Sequence, residues 1–357
     1  MIQCPRLKTF LTVFPISANT WGLKGGSDET WRMKLTDARA VRAFAALLPY
    51  LDGRTPTPDI LHALDADGVH AGAAQAVLRQ LEASSLLEES DPGGLTEEEL
   101  AQFDDQIRFF SRFTQAGGAK YQRRLFDSRA AILGDGALAE SMYGRLARAG
   151  FGSVAVVARD TARVRGWINR ASSRAPRTAA IDLDPDAVWP GDAGELPQIV
   201  IVCQEAHDPL LLEAMDALSK RAGVPWLLVR NLDMQEGWVG PLFVPGETAS
   251  YLSLQARLRA NMPGYAEYTA FESHVRAGEP SPPCGGLAPT FDLLTSIAAI
   301  EVIKFLTEVK VPELLGRFVT INLWTWDTEI HEVLRLPALD RAEPSRPAVY
   351  PWTVAGA

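Results

Sequence analysis

Two glycines and one acid, Gly134, Gly136 and Asp160, are the residues whose type and spacing point most directly to chemistry. Arg129–Leu133 (RAAIL) reads as a strand and Gly134-Asp-Gly136 as a turn. A helix follows to about Ala149, then Ser153–Ala158 (SVAVVA), a second strand ending at Asp160. A glycine in such a turn lets backbone amides approach a phosphate at a helix N-terminus, and an acid after the second strand suits a ribose. The third glycine of the full pattern is Ala139 here, and Asp135 would repel an anion unless its carboxylate points away. The expectation is therefore a vestigial or structural turn rather than a working nucleotide site. Arg163, Arg165, Asn169 and Arg170 follow in TARVRGWINRASSR without a recognisable catalytic pattern. Of the acids farther on, Asp208 and Asp216 are equal candidates to hold a metal. The three cysteines, Cys4, Cys203 and Cys284, form no close pair. Cys203 ends an apolar strand and should be buried. Cys284, in SPPCGG, lacks any sequence evidence of the base or cation that would activate it, so no catalytic residue is assigned.

These residues need a parallel sheet to position them, and the chain supplies its elements. Gln198–Cys203 (QIVIVC), a helix from Pro209 to Ala222 and the apolar strand Pro225–Val229 make a second strand–helix–strand unit. Pro289–Val309 is a strong amphipathic helix, and Phe318–Trp326 and Thr328–Leu336 form a hairpin turning at Asp327. The expected fold class is α/β, a Rossmann-type domain over residues 128–340 with a Pro-rich tail at 341–357.

The first ninety residues differ. Leu11–Ser17 and Glu29–Leu35 alternate as strands do, and Thr20–Ser27 between them has glycine turn chemistry. Helical stripes follow at Asp37–Leu51, Thr57–Leu64 and Ala71–Leu87. Three short strands with three short helices read as a winged-helix-like module over residues 1–90. Residues 91–127 are expected as an acidic linker or helical connector; the acidic run begins at Glu88.

With 357 residues and 47% hydrophobic content the chain can bury sizeable cores, and its formal charge of -9 argues against nucleic acid as a partner. Arg79 is the one cation of the third helical stretch, which weakens the case for a DNA-reading helix. No apolar run is long enough for a bilayer, and the first fifteen residues lack the apolar core of a signal peptide. A reduced, cytoplasmic protein without membrane contact is expected.

ILGDGALAESMYGRLARAGFGSVAVVARD, residues 132–160, resembles the opening of the ThiF/MoeB superfamily of adenylating enzymes, as does SIAAIEVIKFLTEV late in the chain. IVIVCQEAHDPLLLEAMDALSKRAGVPWLLV with VGPLFVPGETASYLSLQARLRA looks more particularly like the ThiF-like partner proteins of azole- and thiazole-forming peptide pathways. There Gly-Pro-x-x-x-Pro-Gly normally precedes a C-x-x-C pair. This chain has Ser250-Tyr-Leu-Ser253 instead, and the second pair expected near Pro337–Asp340 is absent too. Serine supplies no thiolate, so no metal is expected.

The resemblance implies a protein that binds the leader of a ribosomally made precursor peptide and delivers it to an ATP-using cyclodehydratase of the YcaO family, with no cofactor of its own. It further implies a homodimer. The first module would then bind by strand addition along Thr30, Trp31, Arg32, Met33, Lys34 and Leu35, beside a groove formed by Ala74, Val77, Leu78, Arg79 and Leu81. Several of these apolar residues lie on the face that must also build the module's core, and the strand face that meets the peptide is left open. Two alternatives stand beside this one: an ATP-dependent adenylating enzyme acting on a peptide through Gly134–Gly136, and a transcription regulator.

Overall fold

The computed structural model describes residues 2–26, 29–35, 37–170, 177–183, 196–231 and 235–340; the tail expected at 341–357 lies outside them. The chain divides into two compact units, Met1–Arg124 and Leu125–Ala357. Among the described residues no helix is long and apolar enough to cross a membrane.

In the first unit β1 (Pro5–Leu7) is followed by the antiparallel strands β2 (Thr12–Ser17), β3 (Thr20–Gly25) and β4 (Glu29–Lys34), in the order β2-β3-β4. The segment read as a glycine turn is therefore mostly a strand. Its glycines serve packing: the ring of Phe14 lies over Gly22 and that of Phe10 over Gly25, where a side chain would collide. Helix α1 (Ala38–Leu47) starts where the Asp37 carboxylate accepts the N–H groups of Arg39 and Ala40, both at 2.9 Å. Helix α2 (Thr57–Ala66) carries Pro58 in its first turn, and α3 (Ala71–Ala83) begins with His70 Nδ1 accepting the Gly72 N–H. The three helices and the inner face of β3 and β4 close one core around Leu23, Phe44, Leu47, Ile60, Leu64 and Leu81, with Trp21 edge-on to Phe44 at 5.2 Å.

The acidic run does not begin as a linker. Strand β5 (Leu87–Glu89) pairs antiparallel with β1, and Glu88 is fully buried with Arg6 at 2.7 Å. Helices α4 (Glu97–Gln102), opened by a Thr96–Glu99 capping box, α5 (Asp104–Ser111) and α6 (Ala119–Phe126) follow. What a charge count reads as solvated chain is strand and helix with short loops between them.

The second unit runs β6 (Arg129–Leu133), α7 (Ala137–Ala149), β7 (Ser153–Ala158), α8 (Thr161–Arg170), β8 (Arg177–Asp182), β9 (Ile199–Gln204), α9 (Pro209–Ala222), β10 (Trp226–Arg230) and β11 (Glu236–Phe243). It continues through α10 (Tyr251–Ala260), α11 (Tyr265–Arg276) and α12 (Ala288–Thr307) to β12 (Arg317–Asn322) and β13 (Thr328–Glu332). One eight-stranded sheet has the order β13-β12-β11-β10-β9-β6-β7-β8. Strands β8, β7, β6, β9 and β10 are parallel, and β11 to β13 add antiparallel to that edge. The chain winds outward from β6 to β8, then returns to place β9 on the other side of β6. The β6/β9 boundary is thus the point of reversal, where doubly wound sheets open a crevice. The hairpin pairs Ile321 with Thr328 as expected. Trp226, fully buried and stacked on Phe243 at 4.4 Å, anchors the core between β10 and β11.

Truncating Phe44 to Ala should destabilise the first unit by about 3–5 kcal/mol, because the ring is wholly buried and its neighbours cannot close the void. Amide hydrogen exchange should rise across α1 to α3 and remain unchanged across β6, β9 and β10. Uniform protection in the variant would refute this account of the core.

Candidate functional site

At the β6/β9 reversal the glycine turn lines a cleft of about 540 Å³. Gly134 has φ 141, and a Cβ there would stand 2.7 Å from the Cys203 carbonyl oxygen, so both conformation and space demand glycine. At Gly136 the close neighbour is the Glu205 carboxylate, which accepts the Leu138 N–H at 2.7 Å. Glu205 therefore occupies the N-terminus of α7, the position where a phosphate would sit. Burial raises the Glu205 carboxyl above its usual range and Asp135 adds to this, against the opposing pull of the Leu138 hydrogen bond and of Arg163.

Asp135 does point away from the helix terminus. Its carboxylate accepts the N–H groups of Arg159 at 2.8 Å and Asp160 at 2.9 Å. Asp160 in turn accepts the Arg163 N–H at 3.0 Å and so caps α8. The candidates for the metal-holding acid resolve differently from expectation. Asp208 caps α9 through Leu211 and pairs with Arg159 at 2.5 Å. Asp216 is buried away from the cleft, accepting the Tyr251 N–H and pairing with Lys220. The acid facing the turn is Glu205, two residues beyond Cys203; its signal was β9 lying next to β6, which topology supplies and residue type does not. Cys203 is buried, and burial, with Glu205 beside it, pushes its thiol far up. Arg170, one of the cations after Asp160, pairs with Glu140 at 2.8 Å.

The two segments where the resembled proteins carry cysteine pairs do meet. Asp340 accepts the Ser250 N–H at 3.0 Å and the Ser253 hydroxyl at 2.7 Å in the interior, and the half-buried Leu336 N–H at 2.7 Å. Arg335 donates to the Asp340 carbonyl at 2.9 Å and the Gly246 carbonyl at 3.2 Å. Burial pushes the Asp340 carboxyl up, but the bonds from the two serines and Leu336 outweigh it and hold it below the usual carboxylate range. Among the described residues no group of three His, Cys, Asp or Glu is placed to hold a metal ion.

In the first unit β4 pairs with β3 on one side, and among the described residues no strand pairs with its other side. Thr30, Arg32 and Lys34 are exposed and Trp31 is half-buried against the core. Arg79 is exposed on α3. The expected apolar groove requires correction. Met33, Leu35, Ala74, Val77, Leu78 and Leu81 are all buried in the unit's own core, so their side chains hold β4 and α3 in place and are not free to line a peptide groove.

The strand order, with a glycine turn at its reversal, defines a doubly wound α/β fold. Solved structures with this fold include E. coli MccB with ATP, 14% identical, covering 95% of this chain and 99% of that one at a TM-score of 0.62. The microcin C7 biosynthetic enzyme MccB in complex with N-formylated MccA is 15% identical, with coverages of 95% and 99% and a TM-score of 0.64. A heterocyclase in complex with substrate and cofactor is 18% identical at a TM-score of 0.66; the match covers 97% of this chain and 40% of that longer one. No family model and no curated protein matches the sequence.

Asp340→Ala should destabilise the second unit at neutral pH by about 1–3 kcal/mol, since it strands the buried donors of Ser250 and Ser253 and the half-buried one of Leu336. Because the folded carboxyl is held low, its contribution is complete above the ordinary carboxylate pKa of about 4 and is lost as pH falls through the folded value. Denaturant midpoints of the two proteins should therefore differ at pH 7 and converge in acid. A constant gap would contradict the hydrogen-bonded clamp.

Proposed function

We propose that this chain binds the leader of a ribosomally synthesised precursor peptide along β4 and presents it to a separate YcaO-type cyclodehydratase, which forms azolines with ATP. The observation that carries this reading is the one-sided β4 strand with Thr30, Arg32 and Lys34 exposed. An extended peptide added there gains backbone hydrogen bonds on the open side. Arg32, Lys34 and, on α3, Arg79 favour an acidic leader. The likeness to MccB bound to MccA, and to a heterocyclase bound to its substrate, supports a role in processing such peptides. A homodimer and a cytoplasmic location belong to the same proposal.

The absence of nucleotide chemistry is also part of the reading. A phosphate at α7 would have to displace the Glu205 carboxylate, with Asp135 and Asp208 lining the same cleft. The second reading, an adenylating enzyme, is favoured by Arg159 and Arg163 in that cleft and by the fold shared with an MccB that binds ATP.

A fluorescent leader peptide from the neighbouring precursor gene, titrated into the full chain without ATP, should bind saturably. Reversing Arg32 and Lys34 together to Glu should weaken it by about tenfold, or about 1.4 kcal/mol, with a reduced salt dependence. The chain alone should not exchange pyrophosphate into ATP in the presence of the peptide. Exchange without leader binding would replace the proposal with the enzymatic reading.

A further inference from the structure

A second cavity, of about 460 Å³, opens beyond the C-terminal ends of β9 and β10 under α10 and α11. It contains two nitrogen donors that the fold does not use. The buried Nε of Arg230 and the buried Nε2 of His207 have no hydrogen-bond partner among the described residues. The Arg230 guanidinium lies 5.1 Å from the Trp238 ring centre and forms no ion pair among the described residues. His207 packs against Phe271 at 5.4 Å and Tyr268 at 5.9 Å.

The other charges around the cavity are accounted for. Arg259 is paired with Glu272 at 2.5 Å, and Gln255 also reaches Glu272. Arg276 joins Glu272 to Glu213. Glu236 also lines the cavity; it is exposed to solvent and attracts the Arg230 guanidinium without forming an ion pair with it. Burial, with Arg230 and Arg276 adding to it, holds the His207 imidazole below its usual range against the opposing pull of Glu272 and Asp208. The interior holds one guanidinium that makes no ion pair among the described residues, one imidazole and aromatic walls.

We propose that this cavity is a binding site for a carboxylate with an aromatic or apolar body. Arg230 offers the charge and the planar donors that a carboxylate takes up. His207 can supply one further hydrogen bond. A buried guanidinium with an unmade bond is costly, and an anionic occupant removes that cost. A single water occupies only about 30 Å³ and bears no charge, so it neither fills the space nor neutralises Arg230. The Trp238, Tyr268 and Phe271 rings suit an apolar body beside the anion. The segment around Ser281, tied to the residue after β9 by the Cys284 N–H on the Glu205 carbonyl at 3.1 Å, borders both this cavity and the glycine cleft. The proposal is independent of leader binding by the first unit.

The test uses the full chain and follows its histidine ring signals by NMR, with N-acetylphenylalanine as a free aromatic acid and Gly-Gly-Gly-Phe as a peptide carboxy terminus. The His207 signal, assigned by its loss in His207→Phe, should shift saturably with at least one probe. The stronger of the two identifies the source of the carboxylate. N-acetylphenylalaninamide should bind at least tenfold more weakly. Arg230→Gln should weaken the acid by at least tenfold, and His207→Phe, followed by ligand-observed NMR, by about fivefold, each with an unchanged thermal melt. Equal binding of acid and amide would overturn the proposal. So would unaltered binding by a folded Arg230→Gln, or no binding of either probe at about 10 mM.

Discussion

The first N–H groups of a helix have no partners within it, and the helix that leaves the central strand of this sheet must find acceptors for them. The chain supplies one from its own neighbouring strand end, the carboxylate of Glu205. Much of the local geometry follows from that contact. Gly134 and Gly136 must lack side chains because the Cys203 carbonyl and the Glu205 carboxylate come so near. The two strand ends that approach there, β6 and β9, are the ones between which the sheet reverses direction. An anion-binding geometry is thus kept, with the anion built into the protein.

A related economy governs the acids around the turn. Asp135, Asp160 and Asp208 each accept backbone N–H groups, at the end of β7, the start of α8 and the start of α9. Residues whose types suggest ribose or metal contacts thereby serve as caps. Their carboxylates line or border the cleft beside Arg159 and Arg163, so charges of both signs meet there.

The parts of this architecture that were legible in the sequence are those with strong local patterns: the β6–α7–β7 unit, the apolar β9 and β10, the long helix α12 and the hairpin at Asp327. Glu205 was not legible, because its role depends on β9 lying beside β6, which no local pattern encodes. Strand β3 was hidden by Gly22 and Gly25, whose packing partners Phe14 and Phe10 lie on the neighbouring segment. Glu88 looked like solvated linker because its partner Arg6 is 82 residues away. The leader groove was overread for the opposite reason. Apolar stripes on β4 and α3 were visible, but a stripe does not say whether it faces a peptide or its own core, and here Val77, Leu78 and Leu81 face the core. Pockets built from distant segments, such as the one around Arg230 and His207, leave no sequence signature at all.

The clamp of Ser250, Ser253 and Asp340 carries a consequence of a different kind. It joins segments ninety residues apart in sequence, Ser250 at the start of α10 and Asp340 beyond β13. Here the same two segments are joined by oxygen and nitrogen groups present from the moment of synthesis. The clamp thereby closes a loop that holds α10, α11, α12 and the β12–β13 hairpin. Were it opened, the segment after β13 would be released from the start of α10, and the whole loop would regain the freedom that its closure removes.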